Sequence, residues 1–419
     1  MIPRGSLDLT WSDWFAAAGT CVLPGSRAAH ETAIARAWQQ MPAQGAASEQ
    51  QVRATLSVRS AWDLLLGTLA FPAGSEVLLS DITIPGMVTI LREHQLIPVP
   101  LPVDPATLTI QPAAVAAAIT PRTKAILFAP LYGSRAALGP ILRVAKEKQL
   151  LVIEDGAQRF GAIDSADNEM NASPDVLLLS FGLIKTATAL GGGLLITRDA
   201  PLAERLREQH ATLPVQSRWD YLPRVGKALL LKVLSLPRLF RLCLGCCSAM
   251  GCDHDKMLSS KLRTFAGADF FARIRRQPST ALLRVLRRRL ERFRSQDIQW
   301  RIELAQHIYV QFQHVDWPGS NAHVHAHWAL PIHSHDPAGL IQFLRDYGFD
   351  ATQRASSLVH VTDGEEVETT PHWLSEIVYL PLHPSMTKAE AIRLGQLVEK
   401  FECGMLAIEA TGELVVSEV

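Results

Sequence analysis

Two stretches, IEDGAQ (153–158) and LLLSFGLIK (177–185), decide the fold of this chain. Each contains a run of apolar residues that is typical of a buried β-strand. Asp155 closes the first run, and Lys185 lies just beyond the second. Ligands of open α/β sheets bind at the carboxyl ends of the strands, so we expect both side chains to lie at one binding edge.

The two side chains have the chemistry that pyridoxal phosphate requires. A buried carboxylate can hydrogen-bond the pyridine nitrogen and keep it protonated, so that the ring accepts electrons from a substrate carbanion. A lysine at the neighbouring strand end can form a Schiff base with the cofactor. Taken singly, Asp155 is better explained as a helix cap and Lys185 as a surface lysine. The two motifs together favour the cofactor.

Strands and helices alternate from Ser75 to Arg198, which is typical of a mainly parallel sheet with helices on both faces. The predicted strands are EVLLS (76–80), KAILFAP (124–130), LLVIEDG (150–156), DVLLLSF (175–181) and GGLLIT (192–197). Helices are predicted over 112–119 and 138–149, the second with its apolar residues on one face. The sequence therefore predicts a large α/β domain.

The chain is long enough for more than one domain. We predict four parts, namely an N-terminal segment over 1–56, a large cofactor-binding domain over 57–210, a basic helical insertion with a connecting helix over 211–300, and a smaller C-terminal α/β domain over 301–419. The last part has a strand-like stretch at 323–332 and helical patterns at 336–348 and 388–402.

Positive charge is concentrated in the middle of a chain whose formal net charge is zero. Residues 215–301 contain 19 Lys plus Arg against 6 Asp plus Glu. An arginine-rich helix is predicted over 279–293, behind a proline in a favourable first-turn position. Something anionic is expected to meet this segment.

An apolar stretch at 228–247 interrupts the α/β pattern. Its polar residues recur every three positions and trace one stripe on a helix that a proline at 237 kinks: Lys232, Ser235, Arg238 and Arg241. Three interpretations stay open for this middle segment. It forms a dimer interface with a solvated arginine face, it lies on an anionic membrane surface near a lipid-linked substrate, or its arginines bind a nucleotide-sugar diphosphate.

The composition, with 48% hydrophobic and 20% charged residues, is typical of a soluble globular protein. The N-terminal MIPRGSLDLTW lacks the charged start and apolar core of a signal peptide, and no run of 18 uncharged apolar residues is present. We therefore expect a cytoplasmic protein without a membrane span, in contact with a membrane at most through 228–247. No basic groove with interleaved aromatic residues predicts nucleic-acid binding.

Two histidine and cysteine clusters have spacings that are compatible with a metal. In CLGCCSAMGCDH (243–254), the zinc candidates are Cys243, Cys246, Cys252 and His254. We favour a packing role for these cysteines. HVHAHW is predicted to place three histidines, His323, His325 and His327, on one strand face, where a substrate wall or packing is favoured over a metal. No metal is expected.

Four motifs occur in an order that resembles the DegT/DnrJ/EryC1/StrS sugar aminotransferases. They are EDGAQ (154–158), SFGLIKTATALGGGLLIT (180–197), AAITPRTKAILFAPLYG (117–133) and VYLPLHPSMT (378–387). The likeness extends from about Ser57 to Phe401. It implies the fold of fold-type-I pyridoxal phosphate transferases, with a large sheet domain and a smaller C-terminal domain.

The resemblance assigns roles to individual residues. Lys185 is implied to hold the cofactor covalently, and Asp155 to pair with its pyridine nitrogen. Gln158 is implied to face the ring near the phenolic oxygen, and Ser180 to hydrogen-bond the phosphate. The turn SVRSAW (57–62) corresponds to the phosphate-binding turn of the family, which makes Arg59 and Ser60 the further cofactor-binding candidates.

Three positions depart from the family pattern. Val58 and Arg59 replace a Gly-Thr pair in the phosphate turn, and Ile84 stands where an aromatic residue usually stacks on the ring. The family's phosphate-binding Asn, which reaches the neighbouring subunit, has no counterpart around 272–283. Arg275 or Arg276 is the candidate to replace it. These changes leave the substrate open.

The resemblance implies transfer of an amino group from an amino acid, often glutamate in this family, to a keto acceptor such as a nucleotide-linked or lipid-linked keto sugar. It also implies a homodimer with each active site near the subunit boundary. Lys185 argues against the dehydratase branch, in which that position is His. The alternatives are another pyridoxal phosphate reaction, such as elimination or decarboxylation, and a non-catalytic regulatory relative that binds the cofactor.

Overall fold

A computed structural model describes most of the chain. The described residues are 1–41, 50–135, 137–161, 172–236, 239–240, 269–322, 324–353, 358–362, 365–367 and 372–404. The cysteine-rich stretch 243–254, His323, and the stripe residues at 238 and 241 lie outside these ranges. The zinc interpretation of that stretch and the proline kink at 237 therefore stay predictions.

The strands, in chain order, are β1 (Gln51–Thr55), β2 (Glu76–Ser80), β3 (Ile82–Thr83), β4 (Ile97–Leu101), β5 (Val103–Asp104), β6 (Thr109–Ile110), β7 (Thr123–Phe128), β8 (Ser134–Arg135), β9 (Leu151–Asp155), β10 (Val176–Ser180), β11 (Gly193–Thr197), β12 (Val324–His325), β13 (Leu330–His333), β14 (Val359–Thr362), β15 (Glu365–Val367) and β16 (Ile377–Leu380).

The helices are α1 (Trp11–Thr20), α2 (Arg27–Gln39), α3 (Val58–Leu69), α4 (Pro85–Glu93), α5 (Pro112–Ala118), α6 (Leu138–Glu147), α7 (Ala200–Thr212), α8 (Leu222–Leu234), α9 (Phe270–Ile274), α10 (Thr280–Glu291), α11 (Ser295–Tyr309), α12 (Pro337–Asp346), α13 (His372–Ser375) and α14 (Lys388–Glu402). None of these helices has the length and apolar composition needed to cross a bilayer.

A seven-stranded sheet in the order β1-β11-β10-β9-β7-β2-β4 forms the centre of the large domain. The strands from β10 to β4 are parallel, whereas β11 runs antiparallel to both β10 and β1. All five predicted strands are present. The prediction of a mainly parallel sheet is confirmed, with antiparallel pairing confined to the β1 end.

Helices cover both faces of this sheet, because alternate residues of each strand point to opposite sides. Leu79, Leu127 and Leu178 face one layer, which contains α3, α4 and α7. The opposite layer contains α5 and α6 toward the β4 end and α1, α2 and α10 toward the β1 end. The near-continuous apolar runs in the sequence are therefore strands that are buried on both faces.

The sequence did not predict the two edge strands. β1 (QVRAT) is too polar to resemble a buried strand, and β4 (IPVPL) contains two prolines. Pro98 and Pro100 are tolerated because β4 pairs with a neighbour on one side only. On its outer side there is no strand to which an N–H group would have to donate.

The stretch 323–332 is not one strand, and this part of the sequence prediction is wrong. β12 ends at His325 and β13 begins at Leu330, with His327 between them at a φ of 45°. A left-handed residue cannot continue the period-two alternation of a strand. The rings of His325 and His327 nevertheless stack, with centroids 4.1 Å apart.

The C-terminal part of the chain has its own core around an antiparallel pair, β13 and β16. Helices α11, α12 and α14 pack against this pair. α14 begins with a capping box between Thr387 and Glu390 and covers the predicted range 388–402. The predicted smaller α/β domain is therefore present, while the residue boundaries assigned to the four parts stay predictions.

Two arginines of helix α10 form ion pairs with acidic residues of the same chain. Arg289 Nη1 donates to Asp13 Oδ2 at 2.5 Å and Arg288 Nε donates to Asp13 Oδ1 at 2.9 Å. Arg289 also pairs with Asp8 at 2.8 Å. The partner of these basic residues is thus the N-terminal segment, which the charge count of 215–301 did not reveal.

Candidate active site

Asp155 and Lys185 come together at the carboxyl edge of the sheet. Asp155 is the last residue of β9 and lies opposite Leu178 of the parallel neighbour β10. Lys185 follows β10 in a tight loop, where its N–H donates to Gly182 O at 3.0 Å. The two charged groups are close enough for each to shift the pKa of the other. The predicted meeting of these two side chains is therefore present in the structure.

Asp155 is buried, and burial raises the pKa of its carboxyl group. The Ala157 N–H, which donates to Oδ1 at 3.1 Å, and the positive charges of Lys185 and Arg59 oppose this shift. A carboxylate can accept about four hydrogen bonds. Asp155 can therefore accept further hydrogen bonds, and a nearby positive charge would stabilise its ionised form. A protonated pyridine nitrogen supplies both a hydrogen-bond donor and a positive charge.

Lys185 is partly buried, and this burial lowers the pKa of its ammonium group to about 8, against the opposing field of Asp155. Its Nζ lies 3.9 Å from the ring centroid of Trp328. The Trp328 indole N–H donates to Ile184 O at 3.1 Å, which fixes the ring beside the lysine. No sequence pattern predicts this contact, because the two residues are 143 positions apart in the chain.

The lowered pKa of Lys185 predicts how the cofactor-free protein captures pyridoxal phosphate. Only the neutral amine attacks an aldehyde, and its fraction rises about tenfold per pH unit below a pKa of about 8 and then levels off. The capture rate, followed by the growth of cofactor absorbance, is expected to flatten near pH 8. A rate that kept rising toward 10.5, the ordinary lysine value, would show an unperturbed amine.

The start of α3 forms the other end of the site. Ser57 caps this helix, since its Oγ accepts from the Ser60 N–H at 3.1 Å, and the two hydroxyl oxygens lie 3.0 Å apart. Gly193 brings this turn onto the sheet beside Ser180, its register partner on β10. The N–H groups and positive dipole of a helix start favour a phosphate. Ser57, Ser60 and Ser180 therefore lie at one end of the site, and the role of Ser60 and Ser180 toward a phosphate stays a prediction.

The contact at Gly193 leaves no room for a side chain. An added Cβ would lie 2.8 Å from the Ser57 carbonyl carbon and 2.9 Å from the Val58 nitrogen. Gly193→Ala is expected to displace the start of α3, to destabilise the protein by about 1–3 kcal/mol in urea unfolding, and to weaken cofactor retention.

Gly226→Ala is the matched control for this substitution. Gly226 lies within α8, and a Cβ there meets nothing within 4 Å. This variant should gain about 0.5–1 kcal/mol, because alanine favours the helix, and should bind the cofactor normally. Equal effects of both changes would contradict a special role for the contact at Gly193.

Arg59 lies beside the pair, packed over Gly86, so that a Cβ on that glycine would come within 2.7 Å of the arginine Nε. Burial lowers the pKa of Arg59, and the charge of Asp155 opposes this. Two cations therefore face one carboxylate, and this excess of positive charge suits a ligand that carries a phosphate.

Ile84 occupies the N-cap position of α4 and is half-buried. The ring of Phe270, 3.4 Å from the same added Cβ, approaches this wall from another part of the chain.

Gln158 is oriented by the backbone. Its Oε1 accepts the Tyr132 N–H at 2.6 Å, and Tyr132 has a φ of 57°. The buried Tyr132 hydroxyl lies 3.1 Å from the hydroxyl of Tyr379, which joins this turn to β16. With its oxygen engaged, Gln158 presents its amide nitrogen as the donor that a phenolic oxygen requires.

The two arginines considered as substitutes for the family's Asn have partners within the chain. Arg275 makes a fork onto Asp63, with both nitrogen–oxygen distances at 3.0 Å, and also pairs with Glu93 at 3.1 Å. Arg276 lies 3.5 Å from Asp220. Arg275 therefore acts as a clamp between α3, α4 and the residues after α9, and its role toward a neighbour's phosphate stays a prediction.

Known proteins are similar to this chain in sequence and in fold. The profile of the DegT/DnrJ/EryC1/StrS aminotransferase family matches residues 47–221. Over that segment the chain is similar to this family. The resemblance predicted from the motifs is confirmed. The matched segment contains Asp155, Lys185 and the phosphate turn.

Curated relatives match the chain over about a third of their own length. L-glutamine:2-deoxy-scyllo-inosose aminotransferase of Micromonospora echinospora is 36% identical over 139 residues, 33% of each chain. GDP-perosamine synthase of Caulobacter vibrioides is 34% identical over 148 residues, 35% of this chain and 40% of its own. These alignments support the family and leave the activity of the whole chain to be proposed.

The fold extends beyond that segment. The crystal structure of the aminotransferase TlmJ from Streptoalloteichus hindustanus aligns with a TM-score of 0.67 and 20% identity, over 97% of this chain and all of that one. This likeness confirms the predicted fold class, the fold of the fold-type-I pyridoxal phosphate transferases, with a large mainly parallel sheet and a smaller C-terminal α/β domain.

Proposed function

We propose that this protein is a pyridoxal 5′-phosphate-dependent aminotransferase that moves an amino group from an amino acid to a keto acceptor. The observation that carries the proposal is the pair of the buried Asp155 and the partly buried Lys185 at the sheet edge, beside a helix start suited to phosphate. The match to the family profile over 47–221 supports it. The residues proposed to hold the cofactor are Lys185, Asp155, Gln158, Ser180, Arg59 and Ser60.

Each of these groups has a defined task in this proposal. The bound cofactor supplies an electron sink next to the substrate's α-carbon. Asp155 would hold a positive charge at the ring nitrogen, and Lys185 Nζ would take a proton from the donor's α-carbon and deliver it to the cofactor. A base with a pKa of about 8 can carry out both transfers near neutral pH. Trp328 restricts where that Nζ can move.

Glutamate is the proposed donor, and a keto sugar, nucleotide-linked or lipid-linked, is the proposed acceptor. The relatives' names support an amino donor of this class and a polyol or sugar-like ketone, since one is an L-glutamine aminotransferase and another is a GDP-perosamine synthase. Glutamate and glutamine share the α-amino and α-carboxyl groups that the site must hold. Both therefore belong in the assay.

The visible spectrum of the purified protein, loaded with cofactor, tests the proposal. Adding glutamate or glutamine without an acceptor should convert the spectrum to that of the aminated cofactor and release one equivalent of 2-oxo acid. A lyase would give continuous turnover of an amino acid without the aminated cofactor. A regulatory relative would bind the cofactor and leave its spectrum unchanged with every donor.

We also infer a homodimer, with each site near the subunit boundary, from the family resemblance. Exposed apolar side chains on α1 and α8, among them Trp11, Phe15, Leu222 and Leu230, support an interface on this side of the molecule. Light scattering coupled to gel filtration measures the mass directly. A monomer at all concentrations would remove this part of the proposal.

Peripheral membrane contact through 228–247 is a separate proposal. Leu230, Leu236 and Leu239 are exposed, which supports it. Lys232 counts against a headgroup-facing stripe, because its ammonium donates to Leu9 O and lies 5.0 Å from the Trp11 ring. Flotation with anionic vesicles at low salt decides the question, and an absence of binding there removes the membrane interpretation.

A further inference from the structure

Four buried polar atoms beside Lys185 have no hydrogen-bond partner among the described residues. They are Ser134 Oγ, Arg301 Nη2, His325 Nε2 and His327 Nδ1. We refer to these four residues as the polar cluster. A buried polar group without a partner loses the hydrogen bonds that water would have given it, and this destabilises the protein. So many unmet groups in one place indicate a site that a ligand completes.

Three separate elements build the polar cluster. Ser134 on β8 is the register partner of His325 on β12, and partners across a ladder point to the same face. The His327 ring stacks on the His325 ring. Arg301 reaches the cluster from α11, where its Nε donates to Ala326 O at 2.7 Å. The residues are therefore held in place before any ligand binds.

The cluster adjoins the lysine on two sides. Arg301 Nη1 lies 3.4 Å from the hydroxyl of Thr186, the residue after Lys185. Trp328, the residue after His327, is in contact with Lys185 Nζ. A small molecule held by the cluster therefore has its neighbouring atoms next to that lysine.

The protonation of the cluster gives it one positive charge and several donors. The Nδ1 of His325 accepts the His327 N–H at 2.9 Å, so the neutral ring carries its proton on Nε2, the atom without a partner. Burial and Arg301 lower the pKa of His325 to about 3 and that of His327 well below its usual range, which keeps both rings neutral. Arg301 supplies the only charge within the cluster.

No carboxylate among the described residues forms a salt bridge with Arg301. The acid whose field reaches it, Asp8, is bound to Arg289 at 2.8 Å and accepts the Ala187 N–H at 2.6 Å. The cluster therefore offers a guanidinium N–H, an imidazole N–H and a hydroxyl to one negative group. A carboxylate has one charge and two acceptor oxygens, whereas a diphosphate brings more charge than one arginine can balance.

We propose that the polar cluster binds a carboxylate of the amino donor, with Arg301 Nη2 and His325 Nε2 as its principal hydrogen-bond donors. This inference rests on the proposed function for the identity of the ligand. It assigns donor specificity to the junction of α11, β8 and β12, which lies outside the matched segment 47–221 except for Ser134. Arg301 acts here as a substrate-binding residue.

Binding of glutarate, a dicarboxylate that lacks an amino group and cannot react, tests the cluster directly. Calorimetry on the cofactor-loaded protein should show glutarate binding that weakens about 10–100-fold in Arg301→Met, the range expected for lost hydrogen bonds to a charged group. Arg294→Met is the matched control. Arg294 is exposed, pairs with Asp297 at 2.9 Å, and should leave binding unchanged when replaced.

His325→Phe provides a second route, because it keeps an aromatic ring for stacking and removes the Nε2 donor. It should raise the KM for glutamate in the first half-reaction more than it lowers kcat. If Arg301→Met raises the KM for alanine as much as for glutamate, the cluster holds the α-carboxylate. If the change affects glutamate alone, the cluster holds the side-chain carboxylate.

The proposal is overturned if a folded Arg301→Met and a folded His325→Phe both bind glutarate and glutamate as wild type does. Failure of the proposed function gives a different result. In that case no amino donor changes the cofactor spectrum, while glutarate binding still depends on Arg301. The carboxylate site would then stand, and the aminotransfer would not.

Discussion

Lys185→Ala is expected to abolish turnover, with a loss of at least about 10⁴-fold, and to remove the visible absorbance of the lysine-bound cofactor. Among the described residues, Lys185 is the lysine whose charge interacts with Asp155 and whose pKa is lowered to about 8. Both the covalent anchor and the proton carrier are lost in one change. The measurements are a spectrum of the loaded protein and the rate of 2-oxo acid formation from glutamate.

Lys146→Ala is the control for this change. Lys146 lies exposed on α6, and its removal leaves the sheet edge untouched. The control should keep the spectrum and the rate of wild type. Residual absorbance or turnover in Lys185→Ala above the uncatalysed rate would assign the covalent anchor to another lysine and would remove the basis of the proposed function.

Local sequence pattern was sufficient for most of the sheet and for the start of the site. The central strands are buried on both faces, so their apolar runs stand out from the flanking polar turns. Capping residues fixed the ends of helices, as at Thr387 for α14 and Ser279 for α10. Asp155 and Lys185 could be found because Asp155 ends one such strand and Lys185 lies in the loop that follows its neighbour.

Other features depend on contacts between distant parts of the chain, which a single sequence does not show. Lys185 Nζ lies over the ring of Trp328. The loop that follows Lys185 is held by Asp8, whose carboxylate accepts the Ala187 N–H at 2.6 Å. Nothing local marks either residue as part of the site. The HVHAHW motif indicated the histidines, but the strand prediction missed the left-handed turn at His327 that brings its ring onto His325.

The charge of the middle segment was also misleading as a guide to partners. A run of arginines on α10 looked like a surface for an anion, yet Arg288 and Arg289 bind Asp13, which is nearly inaccessible to solvent. Charge counts record the sign of side chains and not their direction. Only tertiary packing separates an arginine that holds an N-terminal segment from one that faces a substrate.

Asp155→Asn is expected to lower kcat by about 10²–10³-fold while the fold is retained. The amide keeps the size of the carboxylate and its oxygen can still accept the Ala157 N–H, now 3.1 Å from Oδ1. It cannot stabilise a positive charge at the ring nitrogen, so the electron sink is weakened. Stopped-flow absorbance of the glutamate half-reaction measures the loss without any knowledge of the acceptor.

Asp199→Asn is the matched control, because Asp199 caps α7 by accepting from the Leu202 N–H at 2.8 Å and asparagine caps a helix equally well. A cofactor analogue that is N-methylated, and so permanently charged at the ring nitrogen, makes the test specific. In Asp155→Ala, which also lacks the carboxylate, this analogue should restore most of the rate that the substitution removes. The reason is that the analogue carries the positive charge that the carboxylate otherwise maintains. Unchanged kinetics in Asp155→Asn, or no rescue of Asp155→Ala by the analogue, would mean that this buried carboxylate serves the fold and not the chemistry.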